Sequence, residues 1–208
     1  MEIGYNQILM GMKFTSFTFS PSKFIEAVAY ILAHVGPSTR MKIVKLLYLA
    51  DRDHVVKHGT PILGDMYVRL QYGPVPSRGL DILEAVADIT AGNPEVESDQ
   101  FSQDLLKHIT VKSPDSKRAE YECATPPELK ALSRSEVESL DLIIKEYGPQ
   151  SGPALSQLTH QHKAYTNTGP SEMIDYRLFF LDHPEAKEEA LSYLEFSQED
   201  RELLEALR

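Results

Sequence analysis

His54 and His58 sit four residues apart in a stretch with helical spacing, and Asp51 and Asp53 stand beside them. On a helix, positions i and i+4 share a face, so two imidazoles at that spacing can grip one divalent metal. Zinc chemistry needs a third protein ligand, and Val55 occupies the position that glutamate holds in a His-Glu-x-x-His site. The residues also fit two ordinary helix-end histidines, which favour the negative end of the helix dipole. His160-Gln161-His162 alternates near another helix end and likewise offers two ligands without a third.

Other chemistry finds less support. Cys123 is the single cysteine, so the chain cannot close a disulfide within itself or build a cysteine-cluster zinc site. It falls in a predicted strand among ordinary residues, where a thiol behaves as a small hydrophobe rather than an activated nucleophile. There is no GxSxG elbow, no P-loop and no GxGxxG loop. Glu188-Glu189 and Glu199-Asp200 lie on charged helical faces that water solvates. No motif argues for an enzyme, and no cofactor is expected.

The elements that would position these residues are mostly helices. Ser20-Pro21 is an N-cap followed by proline at the first helical position, and Phe24, Ile25, Val28, Ile31, Leu32 and Val35 follow at helical spacing to Gly36-Pro37. A second helix starts near Ser38 or Thr39 and ends near His58-Gly59. Met41, Val44, Leu47 and Tyr48, widened by Ile43, Leu46 and Ala50, make it apolar over much of its girth, which places it centrally. Asp65 to Tyr72 alternates like a strand and stops at Gly73-Pro74, and Pro76-Ser77 opens a helix that runs to Asn93-Pro94. Residues 95–104 read as an acidic surface loop, and Leu105 to Val111 and Ala119 to Cys123 read as strands around Pro114-Asp115-Ser116. Ser133-Arg134-Ser135-Glu136 matches a capping box, opening a helix that closes at Gly148-Pro149. A further helix reaches about His160, residues 163–172 read as a loop, and short helices follow, broken at His183-Pro184 and recapped by Ser197 with Asp200. The predicted fold is mainly α (α+β): a compact helical domain with a small antiparallel β-sheet.

The 208 residues amount to one domain with appendages at ~150 residues per domain. Hydrophobic residues are 42% and charged residues 25%, a globular balance that argues against wholesale disorder. The formal charge of −10 opposes a non-specific grip on nucleic acid, which depends on lysine and arginine displacing counterions. No apolar run is long enough to span a membrane, and the first residues lack a signal-peptide pattern, so the expectation is a soluble, acidic, cytoplasmic protein. Residues 1–19 read as an N-terminal arm in which Phe14, Phe17 and Phe19 alternate loosely with polar residues. It is either a frayed terminus or a strand that orders on a partner.

Between Lys42 and Val75 the pattern is more distinctive. Lys45-Leu46-Leu47-Tyr48-Leu49-Ala50 runs into Asp51, followed by Gly59-Thr60-Pro61, by Asp65 and Tyr67, and by Tyr72-Gly73-Pro74-Val75. Tyrosines offer apolar bodies with polar tips, and glycine before proline makes a rigid strand-to-helix corner. This run resembles the Panacea antitoxin domain, the SocA-like family, which is marked by Lys-Leu-x-Tyr-x-Ala, a later Gly-x-Pro and a Gly-Pro-Val corner. Ser151 to His160 is similar to the family's C-terminal helix. Gln71 is a departure, standing where many relatives carry a basic residue. The resemblance covers residues 20–165, leaving 166–208 as a C-terminal helical extension.

The resemblance implies a non-catalytic antitoxin that binds a cognate protein toxin directly, with the motif residues and the arm as candidate contacts. It also implies an alternative, a proteolytic adaptor that hands the toxin to an ATP-dependent protease. A metal-dependent hydrolase built around His54 and His58 is the third reading.

Overall fold

The computed structural model describes residues 17–96, 99–112 and 119–195. Its first helix, α1 (Pro21–Val35), buries Phe24, Ala27, Val28, Ile31 and Leu32 along one stripe. Strand β1 (Ser38–Thr39) leads into α2 (Arg40–His58), whose residues from Ile43 through Asp51 are all buried. A helix apolar around its girth must be covered on every side. Here α1, helix α5 (Arg134–Tyr147) and helix α6 (Gly152–Thr159) cover α2, together with a 3-10 helix at Tyr176–Asp182. Leu46 and Leu47 sit at 0% and 1% exposure, the kind of site where truncation to alanine costs ~2–5 kcal/mol.

The β structure is divided between two small antiparallel sheets. Strands β2 (Tyr67–Leu70) and β3 (Gly73–Pro76) form a hairpin, extended by a bridge between Val68 and Met173. Strand β1 pairs with β5 (Glu120–Cys123), which pairs with β4 (Ile109–Lys112). Helix α3 (Ser77–Ala91) follows the hairpin directly, and the Tyr121 hydroxyl donates to Leu83 O at 2.7 Å, tying β5 to α3.

The fold is the mainly α architecture with little sheet that the sequence predicts, with local corrections. The segment expected to be a single loop over 95–104 contains the start of α4 (Gln100–Leu106), capped by the Asp99 carboxylate accepting from Ser102 N at 2.8 Å. Leu105, expected in a strand, is with Ser102 one of the two buried residues of that helix. Seven residues give too few turns for a visible apolar period, so only the cap betrays the helix. Within 163–172, Lys163–Thr166 makes one helical turn, α7. The Gly73–Pro76 corner is itself a strand, and the hairpin forms its own sheet instead of joining β4 and β5.

Helix α2 ends at Gly59, whose φ of +72° is left-handed and whose N–H reaches Val55 O at 2.8 Å. Any Cβ there would run into Ala190 O, because the helical residues 188–195 pack across this end with Leu194 fully buried. Two of the arm aromatics turn inward. Phe19 is 9% exposed and tilts against Phe24 at 5.8 Å, while Phe17 meets Tyr176 edge-on at 5.3 Å. Those rings belong to the core, because Ser20 N donates to Leu63 O and holds the chain close as it enters α1. Phe14, the Pro114-Asp115-Ser116 turn and the Ser197–Asp200 cap lie outside the described residues.

Candidate functional site

The buried face of α2 carries ionisable groups, among them Lys45 and Asp51, that no surface helix would bury. Lys45 is 1% exposed, and its Nζ donates to Pro74 O at 2.6 Å, so the amine holds the carbonyl side of the corner. Burial pushes its pKa down to about 7. Two turns on, Asp51 accepts from Ile62 N at 2.5 Å, from Leu63 N at 3.0 Å and from the Tyr67 hydroxyl at 2.7 Å. Its carboxyl is pushed up to about 7 by burial, against the lowering effect of those three hydrogen bonds. Asp65 accepts from Arg78 N at 3.1 Å and Gly79 N at 2.7 Å, placing an acid at the N-terminus of α3, where the helix dipole favours it.

The hairpin turn is held by side chains from the far end of the chain. Tyr165 donates its hydroxyl to Leu70 O at 3.0 Å, a ring nitrogen of His160 faces Gln71 O at 2.9 Å, and Ser156 donates to Tyr72 O at 2.9 Å. The carbonyls of Leu70 and Tyr72 are thus clamped from α7 and α6, with the His160 ring packed against the carbonyl between them, and the Arg69 guanidinium lies 4.6 Å over the Tyr165 ring. Gly73 has φ +97°, and a Cβ on it would come within 2.8 Å of Thr159 Oγ1 and 3.0 Å of Lys45 Nζ. At that left-handed φ any side chain is strained, and one here must also push aside the ends of Thr159 and Lys45.

The clamp leaves side chains of the turn facing outward. Tyr72 is 61% exposed and Leu70 36%. With Met41, Val44, Val75 and Leu80 they line a cleft of about 530 Å³ at the start of α2, and the Arg40–Glu84 ion pair, 2.8 Å long, lies at its side. An exposed, rigid, largely apolar concavity of that size is suited to protein or ligand docking.

A family model for the SocA-like antitoxin, Panacea domain, matches residues 43–166, which spans α2 through α7 and takes in every contact of the clamp. The chain belongs to the SocA-like Panacea antitoxin family. No curated protein and no solved structure matches it.

The Panacea motif is mainly framework. Lys45, Leu46, Tyr48, Asp51, Gly59, Pro61, Asp65, Tyr67, Gly73, Pro74 and Val75 are all buried, and Tyr72 alone among the expected motif contacts is exposed. The Tyr48 ring meets Tyr67 at 5.3 Å and Phe179 at 5.5 Å, and its hydroxyl lies 3.2 Å from His162 Nδ1. Burial, followed by the nearby Arg52 charge, lowers the His162 pKa to about 4, so that imidazole is neutral and accepts from the phenol. His54 is also committed to the framework. Its Nδ1 faces Thr60 O at 2.6 Å, and since a carbonyl only accepts, Nδ1 carries the proton and Nε2 accepts from Ser135 at 3.2 Å. His58 contacts the His54 ring at 4.6 Å, and among the described residues no group of three His, Cys, Asp or Glu side chains converges.

Sequence reasoning missed Ser156, His160 and Tyr165 as the residues that position Tyr72. The resemblance of Ser151–His160 to the Panacea C-terminal helix was the signal, but the partners lie 84, 89 and 95 residues away. Nothing local could pair them.

Proposed function

We propose that this Panacea domain is an antitoxin that neutralises a cognate protein toxin by direct contact. Membership of the antitoxin family supports a toxin–antitoxin role and a toxin partner. The observation that carries the direct-contact reading is the outward-facing Tyr72 on a turn whose carbonyls at Leu70 and Tyr72 are tied down by Tyr165 and Ser156. A rigid aromatic loses little conformational freedom on binding, and tyrosines of this kind are frequent interface anchors. Of the buried polar residues of the motif, Lys45 supports that anchor by holding Pro74 O at 2.6 Å, while Asp51 and Asp65 brace the loop and helix that frame the hairpin. Among the described residues no helix is long and apolar enough to cross a membrane.

The test is co-expression with the product of the neighbouring open reading frame. That product should arrest growth alone, be harmless beside this chain, co-purify with it, and persist at an undiminished level in the protected cells. Protection accompanied by loss of the toxin protein, reversed in a strain lacking an ATP-dependent protease, would replace neutralisation by adaptor delivery. A neighbour that never arrests growth would remove the antitoxin reading.

A further inference from the structure

His160 differs from the other groups that hold the hairpin turn. Its ring is half-buried and tilts against the Tyr165 ring at 4.5 Å, and both of its nitrogens face backbone carbonyls. Nδ1 lies 2.5 Å from Ser156 O and Nε2 lies 2.9 Å from Gln71 O. A carbonyl only accepts, and a neutral imidazole carries one N–H, so only the imidazolium satisfies both. The neutral ring leaves one carbonyl facing a nitrogen lone pair. A separation of 2.5 Å needs a proton between the two atoms, so Nδ1 keeps its hydrogen for Ser156 O, one helical turn back, and Gln71 O is released. His54, by contrast, faces one carbonyl and one hydroxyl and is satisfied while neutral.

We propose that His160 is a proton-operated clamp on the turn that carries Tyr72. Gaining a proton fastens Gln71 O, between the carbonyls that Tyr165 and Ser156 already hold, and losing it frees that middle carbonyl. Imidazoles ordinarily change charge between about pH 5 and pH 8. The elements packed against the ring bring few charges to it. Strand β2 carries Arg69, whose guanidinium donates to Thr168 O at 2.5 Å, and α7 carries Lys163, which is exposed to water. Glu172, whose carbonyl accepts from Arg69 N, turns its carboxylate to Gly169 N at 3.1 Å. His162, on the same stretch as His160, faces Tyr48 and stays neutral through that range, since its pKa is lowered to about 4. A turn with its middle carbonyl free samples more conformations, so Tyr72 loses more freedom on binding and binds less tightly. That consequence for binding rests on the antitoxin reading, whereas the clamp itself does not.

The test follows amide hydrogen exchange in the full chain, as wild type and as His160→Gln, from about pH 7.5 down to about pH 5. Glutamine has no proton to gain in that range and the two proteins share every other titrating group, so the ratio of their protection factors isolates His160. Protection at the amides of residues 71–73 should rise roughly three- to tenfold more in the wild type than in the variant, the size of one hydrogen bond gained. Nitrogen-15 shifts of the wild-type ring, which need no variant, should show Nε2 acquiring a proton over the same range while Nδ1 keeps its own. A constant protection ratio, a ring whose protonation does not change, or a neutral ring with its proton on Nε2 overturns the proposal. With the toxin from the neighbouring reading frame, the wild type's affinity relative to the variant should rise by a similar factor as the pH falls. A flat affinity ratio beside a changing protection ratio overturns the link between clamp and binding. A wild type that binds no toxin overturns the antitoxin reading, and the exchange and nitrogen-15 data still decide the clamp.

Discussion

The two ends of α2 handle buried polar groups in different ways. Toward its C-terminus, Asp51 and His54 engage groups from the loop at residues 60–63, from Tyr67 and from Ser135, and helix 188–195 lies across the end. Every partner there comes from the chain itself and the apolar surface is closed over. Toward the N-terminus, the same strategy holds the backbone only. Lys45 takes Pro74 O, and Tyr165 and Ser156 take carbonyls of the turn, but Leu70 and Tyr72 are left facing out over an open cleft. The difference teaches that buried polar bonds in this protein are a device for rigidity. At one end rigidity completes a core, and at the other it presents a surface.

The comparison breaks most visibly at Asp51. Replacement by alanine leaves two backbone N–H groups and the Tyr67 hydroxyl without an acceptor, and the expected loss is on the order of 3–5 kcal/mol, read as a shift of the urea midpoint. Asp51→Asn, which keeps one acceptor oxygen, should lose clearly less.

At the presenting end, Gly73→Val must place a β-branched side chain at φ +97° against Thr159 and Lys45, costing roughly 1–3 kcal/mol. Toxin protection should fall with stability, and a variant as stable as the wild type would show that the corner has more room than the structure gives it.

Lys45 supplies a signature of a different kind, in pH. Its folded-state pKa of about 7 lies below the ordinary 10.5, so between those values the unfolded chain binds more protons and stability rises with pH. Lys45→Met abolishes the titration. The stability of wild type relative to this variant should therefore be lowest at and below about pH 7 and climb towards pH 10.5, by up to a few kcal/mol. Urea melts of both proteins across that window decide it, and a flat difference would mean that Lys45 keeps its ordinary affinity for protons.

Ser156→Ala removes the bond to Tyr72 O and should cost only about 0.5–1.5 kcal/mol. Hydrogen exchange at the amides of residues 71–73 should quicken while the rest of the protein is unchanged. Smallest of all is the stability effect of Tyr72→Ala, expected within about 0.5 kcal/mol because the ring is exposed. A large drop in melting temperature there would mean that Tyr72 belongs to the framework and would erase the contrast between the two ends.

Much of the scaffold was readable from neighbouring residues. Ser20-Pro21, His58-Gly59 and the Ser133–Glu136 capping box are local devices, acting within one helical turn, and each stands at the boundary its chemistry predicts. The breadth of apolar residues in α2 likewise announced a central helix. Short elements were harder: α4, α7 and the strand at Gly73–Pro76 have too few residues to display a period, and their stability comes from what they pack on.

By itself, then, the sequence determined the longer helices, the boundaries at Ser20, Gly59 and Ser133, and the family, since those depend on spacing along a few consecutive residues. Only the tertiary structure decided that Lys45 and Asp51 face inward, that Phe17 and Phe19 join the core, and that Tyr72 stands out. Each of those outcomes depends on a partner far away in the chain: Pro74 for Lys45, Tyr176 for Phe17, Ser156 for the backbone of Tyr72. A polar side chain reads the same in a sequence whether it meets water or a buried donor. The sign of its contribution is set only when folding chooses between them.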